Sequence, residues 1–189
     1  MGASPYRTDA PKDYIKSGSR FVSGFSQWSP QKIISMDVSE IAAFLKPLGL
    51  SQIRAFQIKQ IAEGFLGKTF QDFRSDNYLQ SFAGIGRYIS NSVRCCAFNE
   101  PLPALDTNMI RVLERVFGWK SKRKRPREDQ LFWAFAQTLV PKNRPNAYNW
   151  GVLDLGAAIC TSRNPKCQVC PLNHICLYFQ QIEKGVTAD

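Results

Sequence analysis

A single histidine, His174, serves the whole chain. No Ser-His-Asp triad can be built away from it, and no catalytic metal site with several histidines, so acid–base work falls mainly to Asp, Glu, Tyr and Lys. No apolar run reaches the roughly 18 residues that a membrane span requires. No hydrophobic segment near Met1 reads as a signal. The apolar–polar alternation of strands is missing, and so are long-period repeats. These absences predict an all-α, soluble protein of a reducing compartment, without a membrane partner. Negative charge is also scarce: 25 Lys and Arg stand against 15 Asp and Glu, a net charge of +10. Such an excess favours a polyanion as partner, with plain solubility as the simpler explanation.

The 189 residues can form one domain or two small ones, and 44% hydrophobic composition suits a folded core. Helix signals recur along the chain. Thr8, Asp9 and Pro11 predict a helix over residues 12–25, and Ser29 with Pro30 a short second one. Asp37 and Glu40 read as a capping box for a helix that Gly49 ends. Ser51 starts another. Further helices are expected over residues 129–139 and 147–160. Between residues 120 and 127 lies the most basic run of the chain, either a solvated loop or a patch that contacts phosphates.

Six cysteines fall into two groups. Cys95 and Cys96 sit together on an apolar helix and read as core residues. Cys160, Cys167, Cys170 and Cys176 follow the spacing C-x6-C-x2-C-x5-C. Four thiolates can hold zinc or an iron–sulfur cube. Structural zinc usually draws on two close pairs, and only one close pair is present, so the spacing favours iron–sulfur. His174, on the same loop, reads as a surface or packing residue because four cysteines complete a ligand set.

Residues 81–118 read as helix, glycine turn, helix, proline-rich crossing, helix. Gly84, Ile85 and Gly86 permit a turn that leaves the following helix's amides as anion donors. Asp106 stands at the mouth of the next helix, where it is an N-cap or a reactive carboxylate. A phosphate grip and a carboxylate on one short element suit chemistry on a nucleic acid.

Two motifs in this order resemble those of the helix-hairpin-helix DNA glycosylase superfamily, of the endonuclease III and adenine-glycosylase type. The likeness runs over about residues 6–179. It implies a helical barrel-like domain with the hairpin, residues 1–118, and a small iron–sulfur domain, residues 119–189. By position, Gly84, Ile85, Gly86 and Arg87 would bind DNA phosphates. Leu50 would wedge into the base stack and Arg7 help to fill the gap. Asp106 matches the catalytic aspartate, and the four cysteines the ligands of a [4Fe–4S] cluster. Tyr88 stands where bifunctional relatives carry the lysine that attacks C1′; relatives that remove thymine from G·T mismatches carry tyrosine there. The resemblance therefore implies a monofunctional glycosylase with Asp106 and Tyr88 at its centre, taking thymine or uracil opposite guanine in double-stranded DNA. It places the protein in the cytoplasm, with the nucleoid, or in the nucleus.

The alternatives are a non-catalytic DNA-binding module of the same fold and a glycosylase for another damaged base. Family members begin with two more helices, the second bearing a glutamate that adenine glycosylases use. Counting back from Arg7 puts that position at Gly2, and no 8-oxoguanine-reading domain follows Cys176, so adenine excision is disfavoured. A second polypeptide, a dimer partner or a mis-assigned start is the expected source of the missing wall.

Overall fold

At Ser29, Ser75, Asp106 and Asp129 a short polar side chain sets a helix start by satisfying one of its first free amides. The structure, a computed structural model, describes residues 28–185, and every regular element among them is helical. Arg7 and the helix expected over residues 12–25 lie outside the described residues. By packing, the chain divides into two units, Met1–Thr69 and Phe70–Asp189.

In the first unit Ser29 accepts a hydrogen bond from the Lys32 amide at 3.1 Å and opens α1 (Pro30–Ser35). The Glu40 carboxylate accepts from the Asp37 amide at 3.0 Å, the return arm of the expected capping box, and opens α2 (Val38–Leu45). A short turn, Lys46–Leu48, leads through Gly49 and Leu50 into α3 (Ser51–Phe65). Ile41, Ala42 and Leu45 pack on Ala55, with Trp28, Ile33 and Ile58 around them. Lys59 Nζ donates to the Met36 carbonyl at 2.8 Å and ties α3 to the α1–α2 connection.

In the second unit α4 (Asp76–Gln80) and α5 (Arg87–Phe98) form a hairpin. The first arm is shorter than the sequence suggests, which runs it to Phe82. Ser81 ends it, because its hydroxyl donates back to the Tyr78 carbonyl at 2.7 Å and its amide is shared between Asn77 and Tyr78. α6 (Thr107–Phe117) is the spine of this unit, with Met109, Ile110, Val112, Leu113 and Val116 buried. Met109, Ile110 and Leu113 pack on Phe132, Trp133 and Ala136 of α7 (Gln130–Leu139). Val112 and Val116 turn the other way, to Cys176 and to Phe179 of α9 (Leu177–Glu183). Each large apolar side chain buried here contributes about 1.5–3 kcal/mol. Between them α8 (Pro145–Ala158) starts two residues earlier than expected, on a proline suited to a first helical turn. Cys95 is buried as expected, but Cys96 is exposed. Neighbouring residues on a helix cannot both face one core.

Candidate active site

The turn between α4 and α5 is built on backbone freedom. Gly84 has φ +87°, a left-handed conformation that costs other residues strain. Gly86 is the N-cap of α5 and offers no side chain to its first amides. Among the described residues no capping group or backbone carbonyl takes the amides of Arg87, Tyr88 and Ile89. Ser29, Ser75, Asp106 and Asp129, by contrast, cap their helices with side-chain oxygens. An uncapped, exposed helix start is an anion site by geometry and dipole. Arg87 itself turns back: its Nη1 donates to Gln130 Oε1 at 2.8 Å and its guanidinium lies 4.4 Å over the Trp133 ring.

The position of Asp106 is fixed by the proline-rich segment before it. Pro101 and Pro103 withhold two amides, so the segment offers mainly carbonyls. Gln137 Nε2 donates to the Pro101 carbonyl, Asn149 Nδ2 to Leu102 at 2.9 Å, and Asn91 Nδ2 to Pro103 at 3.0 Å. The Ala104 amide in turn donates to Asn149 Oδ1 at 2.8 Å. Three side chains from three helices thus clamp the approach to α6. Asp106 then caps α6: Oδ1 accepts from the Met109 amide at 2.7 Å and Oδ2 from Asn108 Nδ2 at 3.1 Å. A carboxylate has about four acceptor sites, and these two contacts leave capacity for a further donor or a nearby cation.

Asn108 continues the chain of contacts. Its Oδ1 accepts from Arg111 Nη2 at 3.0 Å, and Arg111 donates onward to the carbonyls of Gly156, at 2.7 Å, and Cys160, at 2.9 Å. One turn along, Arg115 donates to Cys160 Sγ at 3.4 Å and to the carbonyls of Thr161, at 2.7 Å, and Ser162, at 2.9 Å. Its guanidinium also lies 4.7 Å over Tyr178. A Cβ on Gly156 would stand 2.9 Å from the Asn108 Cβ, so only glycine lets α8 lie this close to α6.

Cys160, Cys167, Cys170 and Cys176 line one recess of about 350 Å³, walled by Val112, Val116 and Phe179. Among the described residues no three His, Cys, Asp or Glu side chains form a single-ion site. Four sulfurs spread around a recess, rather than gathered on a point, fit a polynuclear cluster better than one zinc. Burial pushes the Cys167 thiol up, and the neighbouring Cys176, Cys160 and Cys170 add to it while Arg115 opposes. Thiols so crowded are costly to ionise together unless one cationic centre binds all of them.

A second recess, also about 350 Å³, is lined by Tyr88, Ser92, Cys96, Ala104, Asn149 and Trp150. Tyr88 is 37% and Trp150 56% exposed, so both rings offer surface at its rim. The structure therefore brings Tyr88 to the segment that leads into Asp106. Leu50 belongs to the other unit. It sits at φ +50°, ψ 32°, 68% exposed, on a turn held by Arg54 Nη1 donating to the Leu48 carbonyl at 2.8 Å.

The family model described as "HhH-GPD superfamily base excision DNA repair protein" matches residues 13–137. The chain belongs to that superfamily. A second model, the iron–sulfur binding domain of endonuclease III, matches residues 160–176, the stretch that runs from Cys160 to Cys176, so the chain carries a [4Fe–4S] cluster. This HhH-GPD chain is 41% identical over 160 residues to the thymine/uracil-DNA glycosylase of Pyrobaculum aerophilum, covering 82% of this chain and 70% of that protein. It is 39% identical over 154 residues to the thymine-DNA glycosylase of Aeropyrum pernix, covering 80% and 69%. A solved structure of a thermostable thymine-DNA glycosylase superposes with a TM-score of 0.75 at 31% identity, over 88% of this chain and 76% of that one. The all-α fold with hairpin and iron–sulfur domain is that of the superfamily.

Several residues of this HhH-GPD site carry no local sequence signal. Asn149 looks like any polar residue of α8, yet it is buried and serves the Leu102 carbonyl and the Ala104 amide. Arg111 and Arg115 read as the solvated face of α6, yet both are spent on the cluster loop. The four-residue spacing of the two arginines, which puts both on one face of the helix, is the one hint.

Proposed function

We propose that this chain is a monofunctional DNA glycosylase that hydrolyses the N-glycosidic bond of thymine or uracil opposite guanine in duplex DNA. The observation that carries it is the recess that Tyr88 lines together with Ala104, two residues before the N-cap carboxylate of Asp106, while the hairpin position supplies no amine. The glycosylases of Pyrobaculum aerophilum and Aeropyrum pernix support the same substrate class.

The chain's residues then divide the work. The open amides at the start of α5 hold the phosphate backbone. Leu50 fills the gap left when the nucleotide rotates out, which is easier for a mismatched base than for a paired one. Bond breakage builds positive charge on the sugar. Asp106, ionised and held by Met109 and Asn108, stabilises that charge and orients water to C1′. Without an amine at position 88 no Schiff base forms, and the strand stays intact. The cluster, when bound, supplies a structural centre that shapes the loop bearing Arg163 and Lys166.

Duplexes carrying G·T, G·U, A·8-oxoguanine, thymine glycol or an abasic site test the proposal. G·T and G·U should yield strand breaks only after alkali, and borohydride should trap no adduct. Breaks without alkali, or product only from another duplex, would refute the assignment. Salt-sensitive binding with no product from any duplex would instead make the chain a DNA-binding module, for which Asp106 is only a helix cap.

A further inference from the structure

We infer that the basic run between residues 120 and 127 forms, with the solvent face of α6, a second seat for a DNA phosphodiester backbone, separate from the hairpin. A run so charged is expected to be a loose, solvated loop, and this one is pinned. Ser121 donates to Asp129 Oδ2 at 2.6 Å and accepts from the Arg123 amide at 3.1 Å. Trp133 Nε1 donates to the Arg127 carbonyl at 2.8 Å, and Pro126 opens a 3-10 turn, Pro126–Glu128, that runs to Asp129 at the N-cap of α7. The cations are therefore carried on a backbone fixed at both ends.

What they face is an open groove of about 1090 Å³, lined by Thr107, Arg111, Lys124, Arg125 and Arg127 together with Glu114 and Glu128. It begins at the residue after Asp106. Glu128 is engaged by Arg125 at 3.2 Å, and Arg111 by the carbonyls of the cluster loop. Among the described residues Lys124 and Arg127 have no carboxylate within ion-pair distance. Two unpaired cations, the Thr107 hydroxyl and no aromatic platform suit a chain of phosphates better than bases or an apolar partner. The groove is too open to enclose a small anion, and Lys124, Arg125 and Arg127 follow one another closely along the pinned run. A backbone lying there would run beside the carboxylate.

This seat rests on the DNA-binding part of the proposed function but not on excision. The test uses the full chain with its cluster and an undamaged duplex, with binding measured at several salt concentrations. The double variant Lys124→Gln with Arg127→Gln should flatten the slope of log affinity against log salt by about 2, close to one per lost phosphate contact. A control double variant, Lys142→Gln with Lys184→Gln, removes the same charge elsewhere and should leave the slope near that of the wild type. Equal slopes in all three proteins, or equal losses in both variants, would overturn the seat. Circular dichroism and the cluster's visible absorption, unchanged in the variants, exclude misfolding as the cause. A flattened slope in a protein that excises nothing leaves the seat standing and removes the glycosylase reading. Excision with an unchanged slope does the reverse.

Discussion

Arg111 Nε donates to the carbonyl oxygen of Cys160, the first of the four cysteines around the recess, at 2.9 Å, while its Nη2 reaches Asn108, which in turn donates to Asp106. The mouth of α6 and the root of the cluster loop are thus joined by two side chains. Removing a group that orients a ligand from behind typically lowers metal affinity or activity by about 10- to 100-fold. Arg111→Gln should therefore slow excision within that range under single-turnover conditions. Arg111→Lys should rescue little, because an ammonium cannot serve three acceptors in one plane. Wild-type rates in Arg111→Gln would show that the link is not used.

The cap that Asp106 makes and the catalytic charge proposed for it separate by substitution. Asn is as good an N-cap as Asp, so Asp106→Asn should leave stability within about 0.5 kcal/mol of the wild type. It removes the negative charge, and excision should fall by about 100-fold or more, close to 3 kcal/mol of barrier lowering. Asp106→Ala should lose the cap as well, at about 1 kcal/mol of stability. Urea titrations and single-turnover excision on one G·U duplex check both halves. Equal excision by Asp106→Asn and wild type would leave Asp106 as a cap alone.

Much of this was legible in the residues because it is local. Ser29, Asp37 with Glu40, Asp106 and Asp129 announce helix starts through contacts within three residues, and the structure has helices at each. The uncapped start at Gly86 and the cysteine spacing are equally local. What stayed hidden depends on partners 45 or more residues away: Asn149 with Ala104, Arg111 with Cys160, Arg115 with Thr161. No periodicity encodes such pairs. Trp150 was missed for the opposite reason. An aromatic on a helix is expected to be packed, and this one stands 56% exposed at the rim of a recess.

Trp150 and Tyr88 both line that recess, and an extruded pyrimidine that reaches the exposed Trp150 ring gains stacking on it. Base–aromatic stacking contributes about 1–3 kcal/mol per base. Trp150→Ala should therefore raise the protein concentration needed for half-maximal excision rate by about 5-fold or more. Binding to undamaged duplex, where no base is extruded, should stay as in the wild type. Parallel losses in both measurements would place Trp150 outside the base site.

Leu50 is held in a left-handed conformation while largely exposed, so the folded chain gains no burial in return. A non-glycine residue there costs about 1–2 kcal/mol, strain of the kind found at functional sites. Leu50→Gly should leave stability unchanged or raise it by up to about 1 kcal/mol, and should slow excision from G·T by about 10-fold or more through loss of the wedge. The loss should shrink when the thymine faces an abasic site, where extrusion is already easy. A uniform loss on both duplexes would sink the wedge assignment.

Asp76 ties the two arms of the hairpin, accepting from Ser90 Oγ at 2.5 Å and Gln80 Nε2 at 2.8 Å, with Arg94 at 3.5 Å. Burial alone would raise its carboxyl, but those hydrogen bonds and the Arg94 and Arg87 charges hold it below the ordinary value of 3.8. A folded-state value below the unfolded one means that the ionised form is favoured by folding. The stabilisation is therefore complete above the unfolded value and is lost as pH falls through the folded one. Wild type and Asp76→Asn should then differ most at neutral pH and converge below about pH 4. The difference between the two stability profiles isolates this group, because protonation of the cluster thiolates in acid enters both equally. Profiles that stay parallel down to pH 3 would remove Asp76 as the clamp of the hairpin.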